Sequence, residues 1–134
     1  MGSKVNDQVW RRFFELCAET LGRGARSAAA TENWCAWTTF GSLADSVHYW
    51  SAGLPNPEDL SASGVGDSGV WGQPFLYRDI AHVVIPREFY WQKGELQQFT
   101  SGVRKQNLDK LSAVLVAAGI EHRLTDLVLE IKVY

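Results

Sequence analysis

The chain has 134 residues and a formal net charge of −2 at pH 7. This length fits one core-forming unit, so we predict a single domain over residues 1–134. Because 46% of the residues are hydrophobic and 21% are charged, the composition is that of a globular protein. The small net charge excludes a strong basic field, so neither nucleic acid nor a membrane is an expected partner.

Cys17 and Cys35 are the only two cysteines. They form neither a Cys-x-x-Cys pair nor a dense secreted disulfide pattern, so a reducing compartment is favoured, with one bridge between them as the alternative. Residues 1–7 lack the basic and apolar regions of a signal peptide. No apolar stretch reaches the roughly eighteen residues of a membrane span. We therefore expect a cytoplasmic protein.

The first predicted element is an amphipathic helix that ends at Gly22. Asn6 can cap its start, and Asp7 suits the positive end of the helix dipole. Apolar residues recur on one face at helical spacing: Trp10, Phe13, Phe14, Cys17 and Leu21. We predict that this stripe is buried and that residues 23–30 form a connector.

Residues 32–53 are compatible with both a helix and a strand. We predict a strand over about 34–40, because its aromatic and threonine content suits a sheet. Ser42 followed by Asp45 has the form of a capping box, which predicts a short second helix. The apolar face of that helix would comprise Leu43, Val47 and Trp50. A strand through 47–50 is the competing interpretation.

Residues 52–74 are rich in Gly, Pro and Ser, which is typical of a loop. Connections longer than about 12–15 residues are usually functional or disordered, so we expect the function here first. Nothing local requires Trp71 to be buried. With the acidic residues Glu58, Asp59 and Asp67 it is predicted to form the partner-binding surface for a basic protein. The alternative is a solvated loop with one buried aromatic ring.

Strands follow the loop. Residues 80–85 are an apolar run closed by Pro86, which predicts a strand covered on both faces. Lys93 and Gly94 are predicted to form the two-residue turn of a hairpin. Its strands are expected at 89–92 and 95–99.

A helix is predicted near 107–118, capped by Asn107 and ended by Gly119. A strand over 120–124 and a final strand over 127–134 with alternating apolar side chains come after it. The expected fold class is therefore α+β: a single domain with a mainly antiparallel sheet, on which the N-terminal helix and this later helix pack.

Candidate catalytic and metal-binding groups are scattered along the chain. The zinc-type ligands match no zinc motif in their spacing, so no metal or cofactor is predicted: Cys17, Cys35, His48, His82 and His122. Two acid–base pairs, His82 with Glu88 and His122 with Asp126, could serve a small hydrolase or nuclease. No nucleophile elbow, phosphate loop or dinucleotide fingerprint occurs, so we expect no catalytic residues and no enzyme.

The chain is rich in tryptophan, with six: Trp10, Trp34, Trp37, Trp50, Trp71 and Trp91. Aromatic side chains fill cores and also concentrate binding energy at interfaces. We expect most of the six in the core. Exposed ones would allow the binding of a small ligand or a carbohydrate, which is a further alternative function.

Two stretches at the chain ends carry a resemblance. They are residues 3–7 (Ser-Lys-Val-Asn-Asp) leading to Trp10, and residues 122–126 (His-Arg-Leu-Thr-Asp) continuing to 130–134 (Glu-Ile-Lys-Val-Tyr). These ends resemble small bacterial immunity proteins of polymorphic toxin systems. The resemblance implies a cytosolic antitoxin that binds one cognate toxin domain. We therefore expect a protein-binding module of this kind, as either a monomer or a homodimer.

Overall fold

Helix α1 spans Asp7–Leu21 in the computed structural model, which describes residues 5–95 and 98–134. As predicted, the Asn6 side chain caps it by accepting a hydrogen bond from the Val9 N–H. Gly22 ends it with φ 96°, a left-handed value that favours glycine. The buried residues of α1 are Trp10, Phe13, Phe14, Leu16 and Cys17.

Within residues 5–95 and 98–134 the strands make three antiparallel sheets. Five of them are β1 (Cys35–Thr39), β2 (Trp50–Ala52), β3 (Gly64–Val65), β4 (Phe75–Leu76) and β5 (Ile80–Pro86). The others are β6 (Glu88–Glu95), β7 (Gln98–Lys105), β8 (Arg123–Leu124) and β9 (Val128–Lys132). The central sheet has the order β2-β1-β5-β9-β8, while β3 pairs with β4 and β6 pairs with β7.

Helix α3 spans Leu108–Ala117 and packs against α1. Its predicted caps are confirmed: the Asn107 side chain accepts from the Lys110 N–H, and the Ile120 N–H donates to the Leu115 carbonyl at 2.9 Å. Buried residues of both helices join the inner face of the central sheet in one core. The predicted α+β class is therefore confirmed.

None of the helices in the described part of the chain combines the length and the apolar character that a bilayer crossing requires.

The short second helix, α2, is displaced from its predicted position. It spans Phe40–Asp45, directly after β1, and Thr39 rather than Ser42 caps it, since the Thr39 hydroxyl accepts from the Ser42 N–H at 3.1 Å. Val47 and Trp50 lie outside the helix. Trp50 opens β2 because it pairs with Trp37 in the sheet, which requires an extended chain there.

The hairpin is present, but its predicted turn is wrong. Lys93 pairs with Thr100 and Gly94 pairs with Phe99, so β6 continues through both expected turn residues. The longer ladder pairs more backbone groups than a turn at Lys93 would allow, and it therefore sets the register. The connecting residues 96–97 lie outside the described part of the chain.

Two expectations for the other strands also change. In β5, buried Ala81, Val83 and Ile85 alternate with half-buried residues, so only one face is fully covered. Strand β8 is shorter than predicted and holds two residues. Leu127 is exposed because it lies in the bend before β9, whereas Leu129 is fully buried.

Residues 52–74 are a packed part of the domain, tied down by buried amide side chains. Asn33 Oδ1 accepts from the Leu54 N–H at 2.8 Å, and Asn56 bonds both the N–H and the carbonyl of Gly24. A Cβ on Gly53 would lie 2.5 Å from the Ala25 backbone nitrogen, so only glycine permits this approach. The buried ring of Trp71 agrees with the alternative prediction, whereas the packed backbone of this segment differs from the solvated loop that it assumed.

Candidate functional site

The sequence predicts that Trp71 lies on the partner-binding surface, but in the structure this residue is buried. Trp71 is 6% exposed, and its ring stacks on Trp37 with the two centroids 3.8 Å apart. Its Nε1–H donates to the Gly53 carbonyl at 3.1 Å. Burial removes a large apolar ring from water and satisfies its one polar atom, which outweighs local loop preferences. Trp71 therefore belongs to the core.

The acidic residues of the same predicted surface play separate roles. Glu58 is exposed and forms an ion pair with Arg23, whose hydrogen bond lowers the pKa of Glu58. The Asp59 carboxylate is half-buried and accepts from the N–H groups of Asn56 and Val70, so it holds the loop together. Asp67 is exposed. Because Glu58 pairs with Arg23 and Asp59 bonds the loop backbone, the three carboxylates do not act together as one acidic surface.

The tryptophans as a group are covered. Trp10, Trp37 and Trp71 are buried, and the other three are half-buried. None of the six has an exposed side chain, and all of them lie in the described part of the chain. The expectation that most of the six lie in the core therefore holds for these three buried rings.

Three side chains are joined by hydrogen bonds on the outer face of the central sheet. The Tyr49 hydroxyl lies 2.7 Å from His82 Nδ1, and His82 Nε2 lies 3.0 Å from Glu130 Oε1. Burial, aided by a hydrogen bond with Tyr134, raises the pKa of Tyr49 to about 12. The phenol therefore stays protonated at neutral pH. When it donates to Nδ1, a neutral His82 ring carries its proton on Nε2 and donates it to Glu130.

Both predicted acid–base pairs are replaced by other partners. His82 contacts Glu130 instead of Glu88, because β9 lies beside β5 whereas Glu88 starts the separate β6–β7 pair. His122 bonds the Ser112 hydroxyl at 2.7 Å and the Ile120 carbonyl at 2.8 Å. These pairings depend on sheet register. The polar alternation of the last strand, which places Glu130 on the outer face, was the one signal in the sequence.

The two cysteines are free and fully buried. Burial raises the pKa of both the Cys17 and the Cys35 thiol, which makes them poor nucleophiles and metal ligands. Over residues 5–95 and 98–134, no three side chains of His, Cys, Asp or Glu come together in a metal-binding arrangement.

Strands β6 and β7 form a two-stranded arm, which we define as residues 88–95 and 98–105. With eight residues in each strand, spaced at about 3.3 Å, the arm is about 26 Å long. Its base is fixed by Gln106, whose side chain bonds the backbone of Trp34 and Pro86. Near the same point Phe89 is buried and stacks on Trp34, with ring centroids 5.8 Å apart.

One face of the arm, which we call the outward face, is exposed. Tyr90 and Val103 are cross-strand partners there, with 60% and 57% of their surface accessible. Four exposed polar residues in the same register surround them: Glu88, Gln92, Ser101 and Lys105. The sequence did not reveal this face, because three consecutive aromatic residues, Phe-Tyr-Trp at 89–91, hide the alternation until the partner strand is known.

On the opposite face of the arm, Trp91 packs against Gly102 and Arg104. The Trp91 indole lies across Gly102, where an added Cβ would come within 2.9 Å of Nε1. The Arg104 guanidinium lies 5.5 Å from the Trp91 ring centroid, a cation–π contact. These contacts stiffen the arm.

Comparisons with protein-family models, curated proteins and solved structures find no match for this chain.

Proposed function

We propose that the chain is a protein-binding module of the immunity type, which neutralises a cognate bacterial toxin domain in the cytoplasm by binding it directly. The observation that carries the proposal is the exposed pair of Tyr90 and Val103 on the outward face of the arm. Tyrosine supplies large amphipathic contact area and is enriched among the residues that dominate binding energy. A polar rim around an apolar centre is the usual composition of an interface.

The anchoring of the arm supports the same function. Gln106, Phe89 and Trp34 hold its base, and Trp91 covers Gly102 on the face that points away from the proposed contact. An arm that is already ordered loses less conformational freedom on binding, so more of its contact energy appears as affinity. The large aromatic core supplies the rigid platform beneath it.

The residues that carry the resemblance to immunity proteins have structural roles. Asn6 caps α1 and Trp10 is buried beneath it, while Glu130 and Tyr134 lie at the outer face of the central sheet. The resemblance therefore rests on scaffold residues. The partner surface itself is proposed from the arm.

The test is co-expression with the protein encoded by the adjacent reading frame. We expect a stable one-to-one complex by size-exclusion chromatography with light scattering, and survival of cells that otherwise die when that protein is produced alone. Failure to form the complex, together with unprotected cells, would contradict the proposal.

A second candidate function is a small hydrolase, favoured by the contact between Ser112 and His122. Because His122 Nδ1 is held by the Ile120 carbonyl, Nε2 is the acceptor for the Ser112 hydroxyl, as in a nucleophile–base pair. Loss of hydrolysis of a chromogenic ester in both Ser112→Ala and His122→Ala, with unchanged melting, would support it. Absence of any such hydrolysis in the unaltered chain would remove it.

A further inference from the structure

On the basis of the proposed function, we infer that the binding surface extends from the outward face of the arm to the turn between β8 and β9, where Leu127 enters an apolar pocket of the partner protein. Leu127 has 76% of its surface accessible, the largest value among the large apolar side chains of residues 5–95 and 98–134. It continues the apolar alternation of β9, which would place it on the buried face with Leu129. The structure therefore displays an apolar side chain that the sequence pattern would bury.

Thr125 and Arg87 fix the conformation of this turn. The Thr125 hydroxyl accepts from the N–H groups of Leu127 and Val128, at 3.2 and 3.0 Å. The Arg87 side chain donates to the carbonyls of Asp126 and Thr125, at 2.9 and 3.2 Å. Its backbone N–H donates to the next carbonyl, that of Leu127, at 2.8 Å. A single exposed leucine is ordinary on a protein surface, but one held by a fixed turn loses little freedom on binding and so suits a contact.

The turn lies on the side of β5 toward which the outward face is directed. At the end of β5, the Gln106 side chain bonds the carbonyls of both Trp34 and Pro86, so Trp34 lies beside Pro86. On the other side of Pro86 lies β9, since Pro86 pairs with Val128. Phe89, on the opposite face of the arm, stacks on Trp34. Because the two faces of a strand pair point in opposite directions, the outward face is turned away from Trp34, to the side of β9 and its turn.

The arm and the turn are close enough to share one interface. The Arg87 N–H is bonded to the Leu127 carbonyl, and Tyr90 follows Arg87 after about 10 Å of extended strand. An interface that buries about 800 Å² on each partner is roughly 30 Å across. Over residues 88–93 and 100–105 the outward face measures only about 20 by 10 Å, about a quarter of that area. The neighbouring turn is therefore expected to supply part of the remainder.

The surroundings of the turn favour an apolar contact over a charged one. The Arg87 guanidinium is already paired with Asp109, with two N–O distances of 3.3 Å. Asp126 and Arg123, the exposed charged residues that precede Leu127, have opposite signs. Binding of Leu127 would therefore gain its free energy from the removal of apolar surface from water. The partner that fits is a protein with a pocket of aliphatic or aromatic side chains that encloses one leucine.

The experiment measures the complex with the protein encoded by the adjacent reading frame. Leu127→Ala should raise the Kd about tenfold or more, chiefly through faster dissociation, because it leaves the pocket unfilled. The matched control is Leu76→Ala, the same change at an exposed leucine that precedes the opposite end of β5, and it should change the Kd by less than about twofold. Both variants should melt at the temperature of the unaltered chain. A photoreactive residue at position 127 should cross-link to the partner, and one at position 76 should not.

The outcomes separate this contact from the function on which it rests. If Leu127→Ala weakens binding no more than Leu76→Ala does, the contact is overturned while the binding function stands. Self-association of the chain alone that Leu127→Ala abolishes would assign the leucine to a second copy, which also overturns the inference. If no complex forms with the unaltered chain, the proposed function fails and the inference fails with it.

Discussion

Replacing Trp71 by alanine should destabilise the domain by about 5 kcal/mol. The buried ring removes roughly 150–250 Å² from water, worth about 4–6 kcal/mol at 25 cal/mol per Å². Truncating a core tryptophan typically costs about 3–5 kcal/mol, and the Gly53 carbonyl also loses its indole donor, for about 1 kcal/mol more. The assay is urea unfolding followed by circular dichroism. Since the total stability of a small domain is about 5–15 kcal/mol, the change is a large fraction.

Two further variants make this result interpretable. Trp71→Phe keeps the stacked ring but loses the hydrogen bond, so we expect a loss of about 1–3 kcal/mol. Tyr90→Ala, at an exposed position, should change stability by less than about 0.5 kcal/mol. If Trp71→Ala lowers the free energy of unfolding by less than about 1 kcal/mol, Trp71 does not lie in the core.

Other predictions concern the loop, the strained turn, the buried tyrosine and the thiols. Asp59→Ala leaves two backbone N–H groups without their acceptor and should cost about 2–4 kcal/mol in urea unfolding, whereas Asp67→Ala should cost under about 0.5. Val47 is exposed with φ 53°, so Val47→Gly should raise the melting temperature by relieving about 1 kcal/mol of strain. Burial raises the pKa of Tyr77 to about 12. Because the unfolded chain loses this proton first, near pH 10, stability should fall between about pH 10 and 12, and less steeply in Tyr77→Phe. Alkylation of Cys17 and Cys35 should require unfolding, and labelling of the native protein at neutral pH would contradict their burial.

Helices α1 and α3 and strand β1 could be predicted from the sequence, because residues within each element determine its structure. The caps Asn6 and Asn107 and the apolar stripes behind them predicted α1 and α3, because helix ends and helix faces are short-range properties. Strand β1 was predicted from its composition. Each of these depends on contacts within about one turn or one strand.

The features that could not be predicted from the sequence depend on pairing between strands that are distant along the chain. Trp50 lies in a strand because it pairs with Trp37. The hairpin turn lies beyond its predicted position because Lys93 pairs with Thr100. The burial of Trp71 depends on Trp37 and on Gly53, which approach it only after the sheet has formed. The exposure of the arm has the same origin, since the partner strand determines which side of it faces solvent.

The most direct test of the account is the equilibrium affinity of arm variants for the protein encoded by the adjacent reading frame. Tyr90→Ala combined with Val103→Ser should raise the Kd by about 100-fold or more, as expected for residues at the centre of an interface, with unchanged melting. The matched control is Val116→Ser, an exposed residue on α3, which should leave the Kd unchanged. If the protein binds and the arm variant retains the full affinity, the arm is not the binding surface.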